Sequence, residues 1–446
     1  MTLIRRFLLL SIFTVVTGGL FMASNPAYAI KVETVVSPGG ISALLVRDTS
    51  NPIITVSFAF RGGSALDPLG KEGLANMVSS LIDEGAGALD SKTFQQTLED
   101  QAIRLSFNSS RDTFGGQLQT LVKNKKTAFN LLQLSLQKPR FDTEPVERIR
   151  AQILVGLKRD KENPRAIASR KMFETLYPDH PYGRPSGGTI DSVRAITIAD
   201  MKAFMNRRIS RNNLIVGVVG DISKEDLAAL LDKTFTDLPE KSAAWQLPDT
   251  QPVVPGRTVV IDKAVPQSAI LFAEKGLKRE DPDYYAAFVM NHIFGAGSFT
   301  SRLYGEIREK RGLVYSVGTS LYPFDASGLI FGSAGTANAR VNETLHVLKT
   351  EWQKMAANGV SETELTDAKT YLTGSFPLRF SSSGRIASIL VGMQLSNLGV
   401  DYLEKRNAII NDVSLKDVNR VASKLLIFNN LVTVIVGQPK GVSSTN

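Results

Sequence analysis

The sequence predicts an α+β fold of two similar lobes, each a mostly antiparallel sheet packed with helices. The chain has 446 residues, which is too long for one ordinary core because single domains usually have about 100–200 residues. An internal repeat divides it, since NNLIVGVVG at 212–220 is matched by NNLVTVIVG at 429–437. Asp200 and Asp417 match at the same offset of 217 residues. Two large repeats are too few for a solenoid, so we expect two lobes that face each other.

Each repeat predicts a helix, an Asn-Asn turn and a buried strand. In the first copy Met201, Phe204 and Met205 have helical spacing, and an apolar β-branched run follows the turn. Earlier in the first half, residues 54–60 alternate between large apolar and smaller side chains, which predicts a half-buried strand ending at a Gly-Gly pair. In the second half, residues 259–262 and 268–272 are the first predicted strands.

The first 29 residues have the pattern of a secretory signal peptide. Arg5 and Arg6 precede an apolar stretch at 7–22, and Ala27 and Ala29 are small residues at the −3 and −1 positions of a cleavage site. The alternative is an uncleaved anchor, but the apolar stretch is shorter than the roughly 20 residues that cross a bilayer. We therefore expect cleavage after Ala29, a periplasmic location and no stable membrane span in the mature chain.

Composition then sets the remaining boundaries. Residues 248–257 are proline-rich and polar, as in a linker, so the predicted first lobe covers 30–247. The second lobe covers 258–438, and a short tail covers 439–446.

Charge and residue usage exclude several classes of function. The net charge of +9 is spread along the chain without a basic run, so we expect no nucleic-acid binding. The chain has no cysteine, which rules out disulfides, cysteine-ligated zinc and a cysteine nucleophile. The three histidines are His180, predicted in a loop, His292, predicted to pack in a helix, and His346, predicted half-exposed on a helix.

Four segments resemble the pitrilysin/insulinase family of zinc peptidases, particularly its short bacterial members and the subunits of the mitochondrial processing peptidase. These are FAFRGGSA at 58–65, GLA at 73–75, SRLYGEIREKRGLVYSV at 301–317 and GSFPL at 374–378. The resemblance covers essentially the whole mature chain, and it implies two lobes around a chamber.

The resemblance also shows what is missing. The family carries H-x-x-E-H on a helix, with two zinc-ligating histidines and a glutamate as the general base. Here Asn76, Ser79 and Ser80 stand at those three positions, and the third ligand is matched by the stretch Leu154 to Gly156. Asn and Ser are weak zinc ligands, so we expect this chain to bind no metal and no other cofactor.

The family implies a second half-site in the opposite lobe, an Arg and a Tyr seven residues apart. Arg308 and Tyr315 have this spacing, on a predicted helix over 299–311 that ends at Gly312 and on the strand after it. By residue type alone, Arg308 would complement the helix dipole and Tyr315 would pack. The resemblance to processing-peptidase subunits also implies that the glycine-rich loop before the helix contacts a peptide substrate, through Gly295, Gly297, Ser298 and Phe299. By residue type alone, this loop would be a tight turn before the helix. Residues 105–109 predict a strand edge that pairs with peptides in the family.

These features lead to one principal hypothesis. The chain would be the non-zinc, substrate-binding subunit of a heteromeric periplasmic metalloendopeptidase, inactive alone. It would supply Arg308 and Tyr315 to a zinc site carried by a partner with the H-x-x-E-H motif. The first alternative is a non-catalytic peptide-binding or assembly protein of the same fold, and the second is a transport or capture protein without hydrolysis.

Overall fold

The computed structural model describes residues 30–445, and the predicted signal peptide lies outside them. The first half of the described chain forms one sheet and the helices around it. Its strands are β1 (Val32–Val36), β2 (Ser42–Arg47), β3 (Ile53–Arg61), β4 (Arg104–Ser109), β5 (Thr113–Leu121) and β6 (Leu214–Gly220). Its helices are α1 (Leu74–Ser79), α2 (Ser91–Asp100), α3 (Lys125–Gln137), α4 (Thr143–Asp160), α5 (Pro164–Leu176), α6 (Ile190–Ala195), α7 (Ile198–Arg208) and α8 (Lys224–Phe235).

The second half repeats this plan with fewer strands. Its strands are β7 (Thr258–Asp262), β8 (Gln267–Lys275), β9 (Val314–Pro323), β10 (Gly328–Ala337) and β11 (Val432–Gly437). Its helices are α9 (Tyr284–Asn291), α10 (Val341–Asn358), α11 (Glu362–Gly374), α12 (Ser383–Leu395), α13 (Tyr402–Asp412) and α14 (Leu415–Leu425). No helix among the described residues combines the length and apolar character needed to cross a membrane.

The two sheets confirm the predicted mixed, mostly antiparallel architecture. Strand order is β1-β2-β6-β3-β5-β4 in the first sheet and β7-β11-β8-β10-β9 in the second. Only the pairs β2–β6 and β11–β7 are parallel among the described pairs. The strands β4 and β9 each form one edge of their sheet. The chamber between the lobes stays a prediction.

The predicted duplication is visible in equivalent helix starts. Thr197 caps α7 by accepting a hydrogen bond from the Asp200 amide at 3.2 Å, and Ser414 caps α14 in the same way from the Asp417 amide at 3.1 Å. Capping hydroxyls satisfy amides that have no partner within the helix. A turn and then a central strand, β6 or β11, follow each helix. The two aspartates that match in the sequence therefore belong to the same local structure.

The prediction that β3 is half-buried was wrong, because both of its faces are covered. Thr55, Ser57 and Ala59 are buried together with the large apolar residues of the strand. The second face is covered by α12, which comes from the other half: Ser383 lies 2.9 Å from Thr55 between hydroxyl oxygens. Gln394 donates to the Val216 carbonyl at 2.9 Å.

The exchange is reciprocal, since α5 of the first half covers the second sheet. Met172, Phe173 and Leu176 of this helix join a buried cluster with Leu271 of β8 and Val434 of β11. Each sheet therefore has its own helices on one face and a helix from the other half on the opposite face. Residues 31 onward accordingly form one compact unit.

The proline-rich stretch predicted as a linker has no helix or strand. It is nevertheless held to both halves. The Thr250 amide donates to the Ala326 carbonyl at 2.8 Å, and the Val253 amide donates to the Leu176 carbonyl at 2.8 Å.

Candidate functional site

Arg308 and Tyr315 lie together because the chain reverses between them. Arg308 belongs to a π-helical turn, Tyr304–Glu309, that ends the segment before β9. Gly312 has φ +60°, its amide donates to the Arg308 carbonyl at 2.8 Å, and the Leu313 amide donates to the Ile307 carbonyl at 3.0 Å. This is a glycine-terminated helix end. It places the Arg308 guanidinium 5.0 Å from the centre of the Tyr315 ring.

The predicted helix over 299–311 was too long at its start. Residues Ser298–Thr300 form a separate 3₁₀ turn, and regular helix begins only after it, at Arg302. The reason is local: Ser301 has an extended backbone, with φ −79° and ψ 151°, which separates the 3₁₀ turn from the helix.

A third side chain, Tyr304, joins the pair and was not singled out from the sequence. The Arg308 guanidinium lies 4.8 Å from the centre of the Tyr304 ring and donates a hydrogen bond to its hydroxyl. Tyr304 is buried, while the Tyr315 side chain is 79% exposed. The signal was available, because residues four apart on a helix are neighbours. Tyr304 thus fixes Arg308 beneath an exposed Tyr315.

The glycine-rich loop adjoins this cluster. The Phe299 ring meets the Tyr304 ring edge-on, with 4.9 Å between centres, and Phe299 is 66% exposed. A side chain at Gly295 would lie 2.4 Å from the Thr319 hydroxyl, so glycine allows the loop to lie against β9. The Gly297 amide donates to the His292 carbonyl at 2.8 Å. Beside the loop, a groove of about 310 Å³ runs along β9 and is lined by Gly295 and Ser298 among others.

Of the positions equivalent to a zinc motif, Asn76 and Ser79 lie on α1 and Ser80 is its C-terminal cap. The Ser79 and Ser80 hydroxyls both turn back to the Asn76 carbonyl, at 2.8 Å and 3.0 Å. These hydroxyls replace neither a zinc-ligating histidine nitrogen nor the carboxylate of a general base. On α4, the stretch Leu154 to Gly156 that matches the third ligand carries no carboxylate.

The Asp67 carboxylate, near α1, binds backbone amides at the start of that helix. The Asp67 carboxylate accepts from the Gly73 amide at 2.9 Å and the Ala75 amide at 3.1 Å. Burial raises the pKa of Asp67 to about 7, although these backbone amides oppose the shift. Within residues 30–445, no group of three or more His, Asp or Glu side chains is placed to hold a metal ion. The described residues therefore do not fit the zinc that the family fold implies.

The three histidines have different structural roles. His180 accepts from the Tyr182 amide at 3.2 Å in a turn. His292 is buried and stacks on Tyr371 with 5.1 Å between ring centres, and burial lowers its pKa. His346 is exposed on α10.

Family models match most of the chain. Residues 42–190 match "Insulinase (Peptidase family M16)", and residues 195–372 match "Peptidase M16 inactive domain". The boundary between the two matches falls inside the predicted first lobe, just before α7.

Curated relatives match most of the chain. A protein of Helicobacter pylori described as the non-peptidase homolog YmxG is 25% identical over 390 residues, which covers 87% of this chain and 90% of that protein. An uncharacterized zinc protease of Streptomyces coelicolor is 26% identical and covers 76% of this chain and 77% of its own length. Mitochondrial-processing peptidase subunit beta of Neurospora crassa is 23% identical, with 93% and 89% covered.

Solved structures share the fold. The peptidase M16 inactive domain from Pseudomonas fluorescens superposes with a TM-score of 0.86 at 28% identity, over 93% of this chain and 99% of that one. A Helicobacter pylori protease gives 0.82 at 20% identity, over 92% and 100%. With both family models matching, the chain belongs to the M16 peptidase family, and it has Asn76, Ser79 and Ser80 where the zinc motif of that family would stand.

Proposed function

We propose that this chain is the non-zinc, substrate-binding subunit of a heteromeric metalloendopeptidase. It is exported by residues 1–29 to the periplasm, and it presents Arg308 and Tyr315 to a peptide bound at the zinc site of a partner chain. The partner is an M16 chain with the H-x-x-E-H motif. The subunit name of the Neurospora relative is consistent with such a division of labour.

One observation carries the proposal: this chain lacks the groups of the zinc half-site but has an Arg and a Tyr at the second half-site. Asn76, Ser79 and Ser80 offer no zinc ligand. Arg308 and Tyr315 lie together, and Tyr315 is exposed. An exposed tyrosine above a fixed guanidinium contributes little to a core, since it leaves most of its ring in water. It suits a surface that another molecule covers.

The two side chains have distinct expected roles. Hydrolysis of a peptide bond passes through an oxyanion at the carbonyl oxygen, and a phenolic O–H aimed at that oxygen stabilises it. The Arg308 guanidinium, held by Tyr304, supplies N–H donors to the peptide backbone or to a carboxylate. The neighbouring Gly295, Gly297, Ser298 and Phe299 loop contacts the peptide on the same surface.

The test is peptide cleavage by the assembled pair. The chain is co-purified with a zinc-bearing M16 chain, and kcat/KM is measured for a fluorogenic peptide. Tyr315→Phe is expected to lower kcat by about 10²–10³-fold, as deletion of one oxyanion donor does. Arg308→Ala is expected to lower kcat/KM as well. If the double variant cleaves as fast as the wild-type pair, the proposed roles are wrong.

A matched control separates catalysis from folding. Tyr371 is 58% exposed on α11, so Tyr371→Phe also removes one exposed hydroxyl but should leave kcat/KM unchanged. The second candidate function, peptide binding without hydrolysis, is favoured by the description of the Helicobacter relative as a non-peptidase homolog. It predicts that no zinc-bearing chain co-purifies, and that Arg308→Ala with Tyr315→Phe weakens binding of the fluorogenic peptide to this chain alone.

A further inference from the structure

A cavity of about 980 Å³ lies on the seam between the two halves. Its walls come from the end of β3, the turn between β4 and β5, the turn between β9 and β10, the end of α12 and the connector between the halves. Its volume is within the range of small-molecule sites, about 300–1,000 Å³. Arg308, Tyr315 and the glycine-rich loop do not line it, so the cavity is separate from the site proposed above.

Arg111 supplies a guanidinium whose plane is fixed. Its central carbon lies 3.7 Å from the centre of the Phe173 ring, and its Nε donates to the Tyr182 carbonyl at 3.2 Å. Within residues 30–445, neither terminal nitrogen donates a hydrogen bond and no carboxylate pairs with the group. Burial also lowers the pKa of Arg111, as expected for a cation without a bonded anion. A planar fork of free N–H groups fits a carboxylate.

Asp325 supplies the opposite charge. Arg61 approaches its carboxylate at 3.4 Å, longer than the about 2.7–2.9 Å of a charge-assisted hydrogen bond, and gives its shorter bond, 2.7 Å, to the Leu395 carbonyl. The nearby Asp112 carboxylate is already bonded, to the Tyr182 hydroxyl at 2.6 Å and to the Asp325 amide at 3.2 Å. Burial and the charge of Asp112 raise the pKa of Asp325, while Arg61 and Lys278 oppose the shift, and an ammonium group beside Asp325 would oppose it further.

Both charged groups line this one cavity. The Asp325 amide contacts Asp112, which directly follows Arg111 in the chain. Leu66, Trp245 and Phe324 line the same cavity and offer apolar contacts. The lining carries four cations, Arg61, Arg111, Lys278 and Arg279, and four carboxylates, Asp112, Asp249, Glu280 and Asp325. A ligand of balanced charge therefore suits the cavity better than a polyanion such as a nucleotide. The ligand that matches all three features carries one anion, one cation and an apolar side chain.

We propose that this cavity binds a short zwitterionic peptide, with its α-carboxylate on the Arg111 guanidinium and its α-ammonium on the Asp325 carboxylate. Leu66 and Trp245 contact its apolar side chain. Binding requires only this chain, so the proposal does not depend on the zinc-bearing partner.

The test is calorimetric titration of the full mature chain with alanyl-phenylalanine as the probe. We expect saturable binding, and we expect N-acetylation and C-amidation each to weaken it by about tenfold, because each removes a hydrogen-bonded charge. The proposal is overturned if the free dipeptide does not bind, or if the doubly capped dipeptide binds as tightly as the free one.

Two variants assign the ends of the ligand. Arg111→Met keeps a side chain over Phe173 but removes the guanidinium, and Asp325→Asn removes the carboxylate charge at an accessible turn. Each should cost about tenfold in Kd for the free dipeptide. Arg111→Met should show no further loss when the probe is C-amidated, and Asp325→Asn none when it is N-acetylated, since each pair of changes removes the same interaction.

A surface cation provides the control. Lys405 pairs with Asp401 on the exposed face of α13, and Lys405→Met should leave the Kd unchanged. Variant and cap losses that multiply instead of coinciding would contradict the assignment of Arg111 and Asp325 to the two ends. Thermal unfolding of both variants checks that the fold is kept.

Discussion

At the scale of single residues, the buried carboxyl of Glu274 couples folding of the second half to pH. The side chain lies on β8 and is 1% exposed. It accepts hydrogen bonds from the Trp352 indole at 3.1 Å and the Ile427 amide at 2.9 Å. Both donors are neutral, so burial dominates and raises the pKa of Glu274 to about 8 from the usual 4.5.

This shift sets the direction of the pH dependence. Between about pH 4.5 and 8 the folded chain keeps a proton that the unfolded chain releases, so the free energy of unfolding falls as pH rises through this window. One proton corresponds to a slope of up to about 1.4 kcal/mol per pH unit. Glu274→Gln should remove that part of the slope. It should also lower the free energy of unfolding by about 1–3 kcal/mol, because the new side-chain NH₂ group would face the Trp352 indole or the Ile427 amide, which are donors themselves.

Urea unfolding of both proteins at several pH values from 5 to 9 measures the two slopes. Asp67 contributes in the same direction up to its own pKa of about 7, so the slope of the variant does not vanish. Equal slopes in wild type and variant would contradict the assignment of the proton to Glu274.

What the sequence could predict at this scale depended on local spacing. The absence of zinc ligands at Asn76, Ser79 and Ser80 could be predicted without a structure. The seven-residue spacing of Arg308 and Tyr315 could be recognised in the same way. The contacts of Glu274 were out of reach, because its donors lie 78 and 153 residues away in the chain. No periodicity connects such positions.

At the scale of secondary-structure elements, the glycine-rich loop depends on its close contact with β9. A Cβ at Gly295 would lie 2.4 Å from the Thr319 hydroxyl and 2.9 Å from its backbone nitrogen. Gly295→Ala should therefore cost about 1–3 kcal/mol, as overpacking does. The midpoint of urea unfolding measures this effect.

A second glycine serves as the matched control. Gly156 lies inside α4 and has nothing within 4 Å of an added Cβ. Gly156→Ala should stabilise the chain by about 0.5–1 kcal/mol, because alanine has less backbone entropy to lose in a helix. If both variants shifted the midpoint in the same direction, the contact of Gly295 with Thr319 would not be the cause.

Among the elements, strands were easier to predict than their surroundings. Alternation located β3 correctly, and its end at a Gly-Gly pair was confirmed. The burial of its second face was missed because the covering helix, α12, begins more than 300 residues later. The helix before β9 was predicted too long because the extended backbone of Ser301, which separates the 3₁₀ turn from the helix, has no signature in a serine.

At the scale of the whole molecule, the duplication was predictable from the sequence but the exchange of helices was not. The repeat at a fixed offset identifies two copies of one unit. It gives no indication that α5 and α12 cross to the opposite sheet, since both copies would show the same pattern if each kept its own helix. The exchange has a thermodynamic consequence: each sheet loses one of its covers when the other half unfolds.

We therefore expect the two halves to unfold together, and α12 allows a direct test. Leu390 is fully buried there, and its Cβ lies close to the position that a side chain at Gly217 of β6 would occupy. Leu390→Ala should cost about 2–5 kcal/mol.

Trp352, buried in the core of the second half, reports unfolding by fluorescence once the other tryptophan is removed by Trp245→Phe. If the halves form one cooperative unit, Leu390→Ala, which weakens the packing of α12 on the first sheet, lowers two midpoints equally. These are the unfolding midpoint from Trp352 fluorescence and the one from far-UV circular dichroism. Lys405→Ala, on an exposed face, should move neither midpoint. If the Trp352 midpoint stays in place while the dichroism splits into two transitions, the halves are independent and the exchanged helices do not couple them.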